Sequence, residues 1–163
     1  MKCTIYKDAY STSNGIYREV DVILDSIKTN RWKDLIEEIR TITDKKAKSK
    51  AKAKLPAVMF SGLFNGREDK DITEHSGLFV LDFDHVNVEA VKKVLSQQPY
   101  VYAHFTSPSG DGVKALVRIP KSINRHAGHY NAIIAEVKEK LNYDLDTTSR
   151  NVARLCFVSA DES

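Results

Sequence analysis

The chain is short of sulfur and of long apolar runs. Its 163 residues include two cysteines, Cys3 and Cys156. Two thiols make neither a disulfide framework nor a zinc site, so a reducing, cytoplasmic setting is expected. No run reaches the roughly 18 consecutive apolar residues of a transmembrane helix, which excludes that kind of membrane partner. The opening Met1-Lys2-Cys3-Thr4-Ile5-Tyr6 lacks the apolar core of a secretory signal. Acid is missing from one segment altogether. Residues 45–54 hold six lysines and no carboxylate, and removing those six charges from the net +3 leaves the remainder at −3. The basicity of the chain therefore belongs to one place.

What is present fits a globular chain. Apolar residues make up 42% and charged residues 29%, both ordinary for a soluble protein. The length suits one domain with a substantial core. The final Asp161-Glu162-Ser163 follows directly on a strand-like run, so the expectation is the N-terminal part of a longer protein.

The order of elements is legible from periodicity. A strand or hairpin is expected near 4–10, with a turn at Ser13-Asn14-Gly15. Trp32, Leu35, Ile36 and Ile39 recur at helical spacing from about Arg31. That helix is expected to run on through the lysines toward Pro56, since a proline disfavours helix just before it. Ala57–Phe60 reads as a strand, and the polar stretch 64–76 as loop. Then come a strand at 78–84, a helix at 88–97, strands at 100–106 and 113–119, a helix at 125–141 and a last strand at 155–159. This order is β-α-β-β-α-β, an α+β, RRM-like or ferredoxin-like core over about 77–160 behind an N-terminal extension over 1–62. Such a sheet carries its helices on one face and leaves the other open.

Parity then sorts the side chains, because successive strand residues point to opposite faces. Phe79, Leu81 and Phe83 take the helix-covered face, as do Val113, Ala115, Val117 and Ile119, then Val101, Ala103 and Phe105, and finally Leu155 and Phe157. The open face receives Asp82 and Asp84, Lys114, Leu116 and Arg118, Tyr100, Tyr102, His104 and Thr106, and Arg154, Cys156 and Val158. The first and third strands of this topology are central neighbours, which puts the two acids beside Lys114 and Arg118.

Two carboxylates on one face two residues apart repel unless something neutralises them. A divalent cation, Mg²⁺ or Mn²⁺, does so with oxygen ligands; two solvated carboxylates at a strand end are the alternative. The turn Ser107-Pro108-Ser109-Gly110-Asp111-Gly112 offers backbone amides and hydroxyls of the kind that cradle an anion, or it is a tight turn and no more. Asp146 is a candidate third carboxylate. Arg150 and Arg154 carry planar forks suited to phosphate, although capping and local ion pairing account for these residues equally well. Lys46, Lys50 and Lys54 fall on one side of a helix at i, i+4 spacing. They suit a nucleic-acid backbone or a solvated connector.

The ordered set Leu81-Asp82-Phe83-Asp84, Ser107 to Lys114, and Asp146 with Arg154 resembles the archaeo-eukaryotic primase superfamily. More closely it resembles the VirE N-terminal domain family of Bacteroidetes phages and mobile elements. Lys54 to Gly62 and Arg154 to Asp161 share in that resemblance, which covers roughly 35–161. It implies a primase-polymerase core acting in replication. Asp82, Asp84 and Asp146 would bind metal, and Lys114 would join them in catalysis. Ser107, Ser109, Gly110, Gly112, Lys114, Arg118 and Arg154 would hold the nucleotide. Partners would be nucleoside triphosphates, a single-stranded DNA template and a helicase-like or ATPase region elsewhere in the full protein. Lys46, Lys50, Lys54, Tyr102 and His104 would contact nucleic acid. Lys114 stands where the wider superfamily usually has histidine, and lysine cannot both donate and accept as a neutral imidazole does. The rival reading is a nucleic-acid-binding module of the same fold without catalysis, and a third is a protein-interaction domain.

Overall fold

The computed structural model describes residues 1–145 and 147–162. Among them it is an α+β protein with five α-helices and three small antiparallel sheets. Strands β1 (Lys2–Tyr6) and β2 (Ile16–Glu19) form the expected N-terminal hairpin, with Asn14 left-handed in its loop at φ 59°. Helix α1 (Val20–Lys28) follows, and the sequence reading missed it. Its stripe is short, Val20, Ile23 and Ile27, but all three are buried.

The single long helix expected from Arg31 to Pro56 is two helices. Helix α2 (Lys33–Thr41) stops where Ile42 turns extended, and α3 (Lys45–Lys52) starts afresh. The carboxylate of Asp44 accepts the backbone N–H of Ala47 at 2.7 Å, which fixes a new N-terminus. The β-branched run Thr41-Ile42-Thr43 before it is a weak place to continue a helix. The stretch 64–76, expected as loop, contains half of a second hairpin: β4 (Gly62–Phe64) pairs with β5 (Ile72–His75).

Strand β3 (Ala57–Met59) precedes that hairpin, and the core follows it: β6 (Leu78–Phe83), α4 (Val88–Leu95), β7 (Val101–Thr106), β8 (Val113–Arg118) and α5 (His126–Glu136), which continues as one wider turn to Leu141. The sheet order is β6-β8-β7, so the first and third core strands are neighbours as expected. Phe79, Leu81, Phe83, Val113, Ala115 and Val117 pack with Val91, Leu95, Tyr130 and Ile134 of α4 and α5.

Two expectations about this core are corrected. The last strand, β9 (Cys156–Phe157), does not join β6; it pairs with β3, giving a four-stranded sheet ordered β2-β1-β3-β9. Its neighbourhood is apolar on both parities. Cys156 and Val158 sink into one cluster while Leu155 packs against another, and the edge of an open sheet offers no such burial on both sides. Nor is the second face of the core sheet open. Leu78, Val80, Leu116 and Phe105 are buried against Ile23, Ile27, Ile36 and Ile39 of α1 and α2.

A register shift between Val101 and Ala103 also re-aims β7. Beyond this bulge Ala103 stands opposite Leu116 and Phe105 opposite Lys114, so both lie on the face toward α1 rather than toward α4. His104, opposite Ala115, turns to the α4 side instead.

Candidate functional site

The polar end of the buried sheet face lies where β6 and β8 meet the approach to β9. Asp82 and Lys114 are direct partners across the ladder, and Lys114 Nζ lies 2.6 Å from Asp82 Oδ1. Both side chains are largely enclosed, with 18% and 16% of their surface exposed. Arg154, two residues before β9, brings Nη2 to 3.6 Å from Asp82 Oδ2. The repulsion that two neighbouring carboxylates would suffer is thus met, at Asp82, by two cations of the chain itself.

The electrostatics follow from this enclosure. Burial alone pulls the Lys114 ammonium down, but the attraction of Asp82, helped by Asp84, outweighs it and leaves the pKa raised. Lys114 is therefore a fixed cation. The Cys156 thiol beside it is pushed up to about 12, chiefly by burial, and stays protonated. Asp84 lies one step past β6, exposed, and makes no ion pair or hydrogen bond within the described residues.

The glycine-rich turn closes directly on this end of β6. Ser107 N–H donates to Gly112 O at 2.8 Å, and Gly110 N–H donates to Ser107 O at 2.9 Å. Two of the turn's amides are therefore satisfied internally. Gly110 is left-handed at φ 84°. Gly112 packs so tightly that a Cβ on it would lie 2.5 Å from Phe83 O and 3.4 Å from the Cα of Asp84. The turn thus packs on the backbone of Phe83 and Asp84, adjoining the two acids as the sequence led one to expect. Ser107 is buried and Ser109 half-buried.

A residue the sequence reading passed over braces this turn. Arg40, at the end of α2, donates from Nη2 to Ser107 O at 3.4 Å and to Ala160 O at 3.2 Å, and its side chain lies 3.3 Å from where a Gly110 Cβ would be. Its only signal in the sequence was a cation in the last turn of a helix, which serves the helix dipole equally well.

Other proposed site residues lie elsewhere. Arg118 is opposite Leu78, at the far end of β8 from Lys114, about 13 Å away by strand rise. It stacks on the Tyr102 ring, 4.6 Å from its centroid, and the Tyr102 hydroxyl bonds Asp21 of α1. One face of that ring is therefore already taken. His104 Nε2 lies 2.9 Å from Ser96 Oγ at the end of α4, and burial lowers the imidazole pKa. Lys46, Lys50 and Lys54 are exposed and take part in no ion pair within the described residues. Arg150 is exposed. Asp146, the expected third carboxylate, lies outside the described residues. Among those described, no group of three or more His, Cys, Asp or Glu side chains converges in a way that could hold a metal ion.

A family model described as BT4734-like, N-terminal domain, matches residues 50–163. The chain belongs to this family. It is a family of Bacteroidetes proteins, so the broad part of the sequence resemblance stands. No curated protein and no solved structure matches the chain. In this BT4734-like chain the matched stretch contains Asp82, the glycine turn, Lys114 and Arg154, whereas α2 with its brace Arg40 precedes it.

Away from Asp82 and Lys114, two histidines form a buried pair that the sequence did not signal. His75 at the end of β5 and His126 at the start of α5 are 5% and 3% exposed, and His75 Nε2 lies 2.9 Å from His126 Nδ1. The Gly77 N–H donates to His75 Nδ1 at 2.9 Å, so the proton of His75 sits on Nε2 and is donated to His126. Burial lowers both pKa values, that of His126 to about 4.

Proposed function

We propose that the polar end of the sheet at Asp82, Lys114 and Arg154 is the nucleotide site of a primase-polymerase-type nucleotidyltransferase. The observation that carries this reading is one juxtaposition. A carboxylate ladder-paired to an enclosed lysine lies beside a forked arginine, and a glycine-rich turn packs on the backbone at Phe83 and Asp84, next to the second carboxylate-bearing residue. Lys114 and Arg154 would offset triphosphate charge, with Arg40 holding the turn in place. The donor chemistry fits Mg²⁺ or Mn²⁺. Asp84 is exposed and unpaired within the described residues, and Asp82 presents Oδ2 only loosely held by Arg154. Asp82 and Asp84 would hold such an ion, which when bound would polarise phosphoryl oxygens. The free lysines of α3 would follow the backbone of a single-stranded template.

The decisive experiment is extension of a labelled primer on a single-stranded template with dNTPs or NTPs in Mg²⁺ or Mn²⁺. The expected result is product with the wild-type chain, lost in Asp82→Ala and in Asp84→Ala. Equal extension by wild type and Asp82→Ala would overturn the reading.

One observation favours a second reading, a metal-independent nucleic-acid-binding module. Lys114 already neutralises Asp82 at 2.6 Å, so the carboxylate does not require a metal. Binding of a labelled single strand that is unchanged in EDTA and in Asp82→Ala, with no extension product, would select it.

A further inference from the structure

On the N-terminal unit, away from the Asp82 site, a groove of about 310 Å³ runs between the β1–β2 hairpin, helix α1 and the Arg31-Trp32 segment that leads into α2. Its floor and walls include Ile5, Ile16, Val22 and Pro56; Ile16 and Val22 are each 51% exposed. Lys7, Arg18 and Arg31 rim it, and no carboxylate lines it. We infer that this groove docks an extended acidic peptide whose alternate side chains are apolar, added as a further strand along β2.

Three features support that occupant. First, β2 is the edge of its sheet. Val20 N–H donates to Met1 O, which sets the antiparallel alternation. The backbone groups of Ile16 and Arg18 then face β1, and those of Tyr17 and Glu19 face outward, the Tyr17 carbonyl accepting from Arg18 Nη1 at 2.9 Å, a bond the added strand would replace. Second, Ile16 and Arg18 both line the groove while Tyr17 turns to the opposite face, where its hydroxyl meets Asn65. A strand added to β2 would therefore lay every second side chain over the groove. Third, three cations without an acid complement carboxylates on the occupant. Two aromatic rings line the groove, and neither offers an open face: Trp32 has the Arg31 guanidinium over its ring, 5.9 Å from the centroid, and Tyr6 is buried with the Arg67 guanidinium over its ring at 5.3 Å. A nucleobase seeks an open aromatic face to stack on, so the surface suits an aliphatic side chain better than a base.

The test is fluorescence anisotropy of a labelled decapeptide alternating glutamate and isoleucine. The controls are a lysine–isoleucine decapeptide and a labelled oligo-dT. Saturable binding of the glutamate peptide is expected, weakened at least tenfold both by the pair Arg18→Glu and Arg31→Glu and by Val22→Asp. Should Val22→Asp lower the melting temperature, Ile16→Ser serves in its place. Hydrogen exchange at the Tyr17 and Glu19 amides should slow when the peptide binds. Equal affinity for the lysine peptide, indifference to these substitutions, or binding without protection of those two amides overturns the proposal. So does oligo-dT that competes for the groove and loses affinity in the same variants. None of these outcomes depends on whether the Asp82 site extends a primer.

Discussion

Lys114 and Asp82 are direct partners across the β6–β8 ladder and meet at 2.6 Å with most of both side chains enclosed. Removing one partner of an enclosed pair leaves a charge without its counter-ion. Lys114→Ala should therefore destabilise the fold by about 2–4 kcal/mol, less than a fully buried pair would show because Arg154 still approaches Asp82. Lys114→Ala combined with Asp82→Ala should show a coupling of about 1–3 kcal/mol in a double-mutant cycle, read from urea midpoints. Additive effects would mean that the contact contributes nothing to stability.

The same pair fixes a pH dependence at the alkaline end. The raised pKa of Lys114 means that its contribution is complete below the ordinary lysine value of 10.5 and is lost as pH rises through the higher folded value. Urea midpoints above pH 10.5 should fall less steeply in Lys114→Met than in the wild type, with no difference in slope below it.

The histidine pair governs the acidic end. Both imidazoles are buried and neutral, with folded pKa values below 6.5. Above pH 6.5 neither state takes up a proton there. As pH falls from 6.5 toward the folded value of about 4 for His126, the unfolded chain is protonated and the native one is not, so stability drops. The loss from His126 should approach about 3 kcal/mol near pH 4. The groups facing the pair are Lys121, His129 and Asp69, of which only Asp69 favours protonation. Thermal unfolding from pH 7 to 4 tests this, and a flat melting temperature across that range would contradict it.

The glycine turn makes a local prediction. Gly110→Ala places a side chain on a left-handed residue, at about 1–2 kcal/mol. Gly112→Ala should be worse, because its Cβ would meet backbone oxygen Phe83 O at 2.5 Å and that strand cannot easily yield. If the turn serves nucleotide, Gly112→Ala and Arg40→Ala should also weaken nucleotide binding more than they lower stability. Equilibrium binding compared with urea unfolding separates the two effects.

Helix α3 offers a prediction in salt. Each lysine that neutralises a phosphate of a single strand adds roughly 0.7 to the slope of log affinity against log salt. Replacing Lys46, Lys50 and Lys54 by glutamine should reduce that slope by about 2 if all three contact the strand. An unchanged slope would remove α3 from the interface.

The sequence carried the core sheet well, and for a clear reason. Phe79, Leu81, Phe83, Val113, Ala115 and Val117 alternate cleanly with polar or smaller neighbours, so their face was legible, as was the adjacency of Asp82 to Lys114. The opposite face misled because Asp82, Lys114 and Arg118 on it drew attention away from Leu78, Val80 and Leu116. Those three bury α1 and α2, whose apolar stripes are only two or three residues long. The bulge after Val101 shifts parity by one and cannot be read from an unbroken run of strand formers. Arg40 was invisible because a brace depends on where a helix ends in space. The destination of β9 was likewise undetermined, since periodicity fixes which way side chains point but not which sheet takes the strand.

That destination has a consequence for how the protein is made. Ala57 pairs with Phe157, a hundred positions later in the chain. During synthesis the whole core, from β6 to α5, leaves the ribosome while one edge of β3 is still bare. The hairpin β1–β2 and the three-stranded sheet can form from nearby segments, but the step that joins β9 to β3 closes a very large loop and comes late. Arg154 reaches Asp82 only with that step. The Asp82 site would therefore be the last part of the molecule to assemble, and a nascent chain could be folded in most of its elements and still lack a complete site.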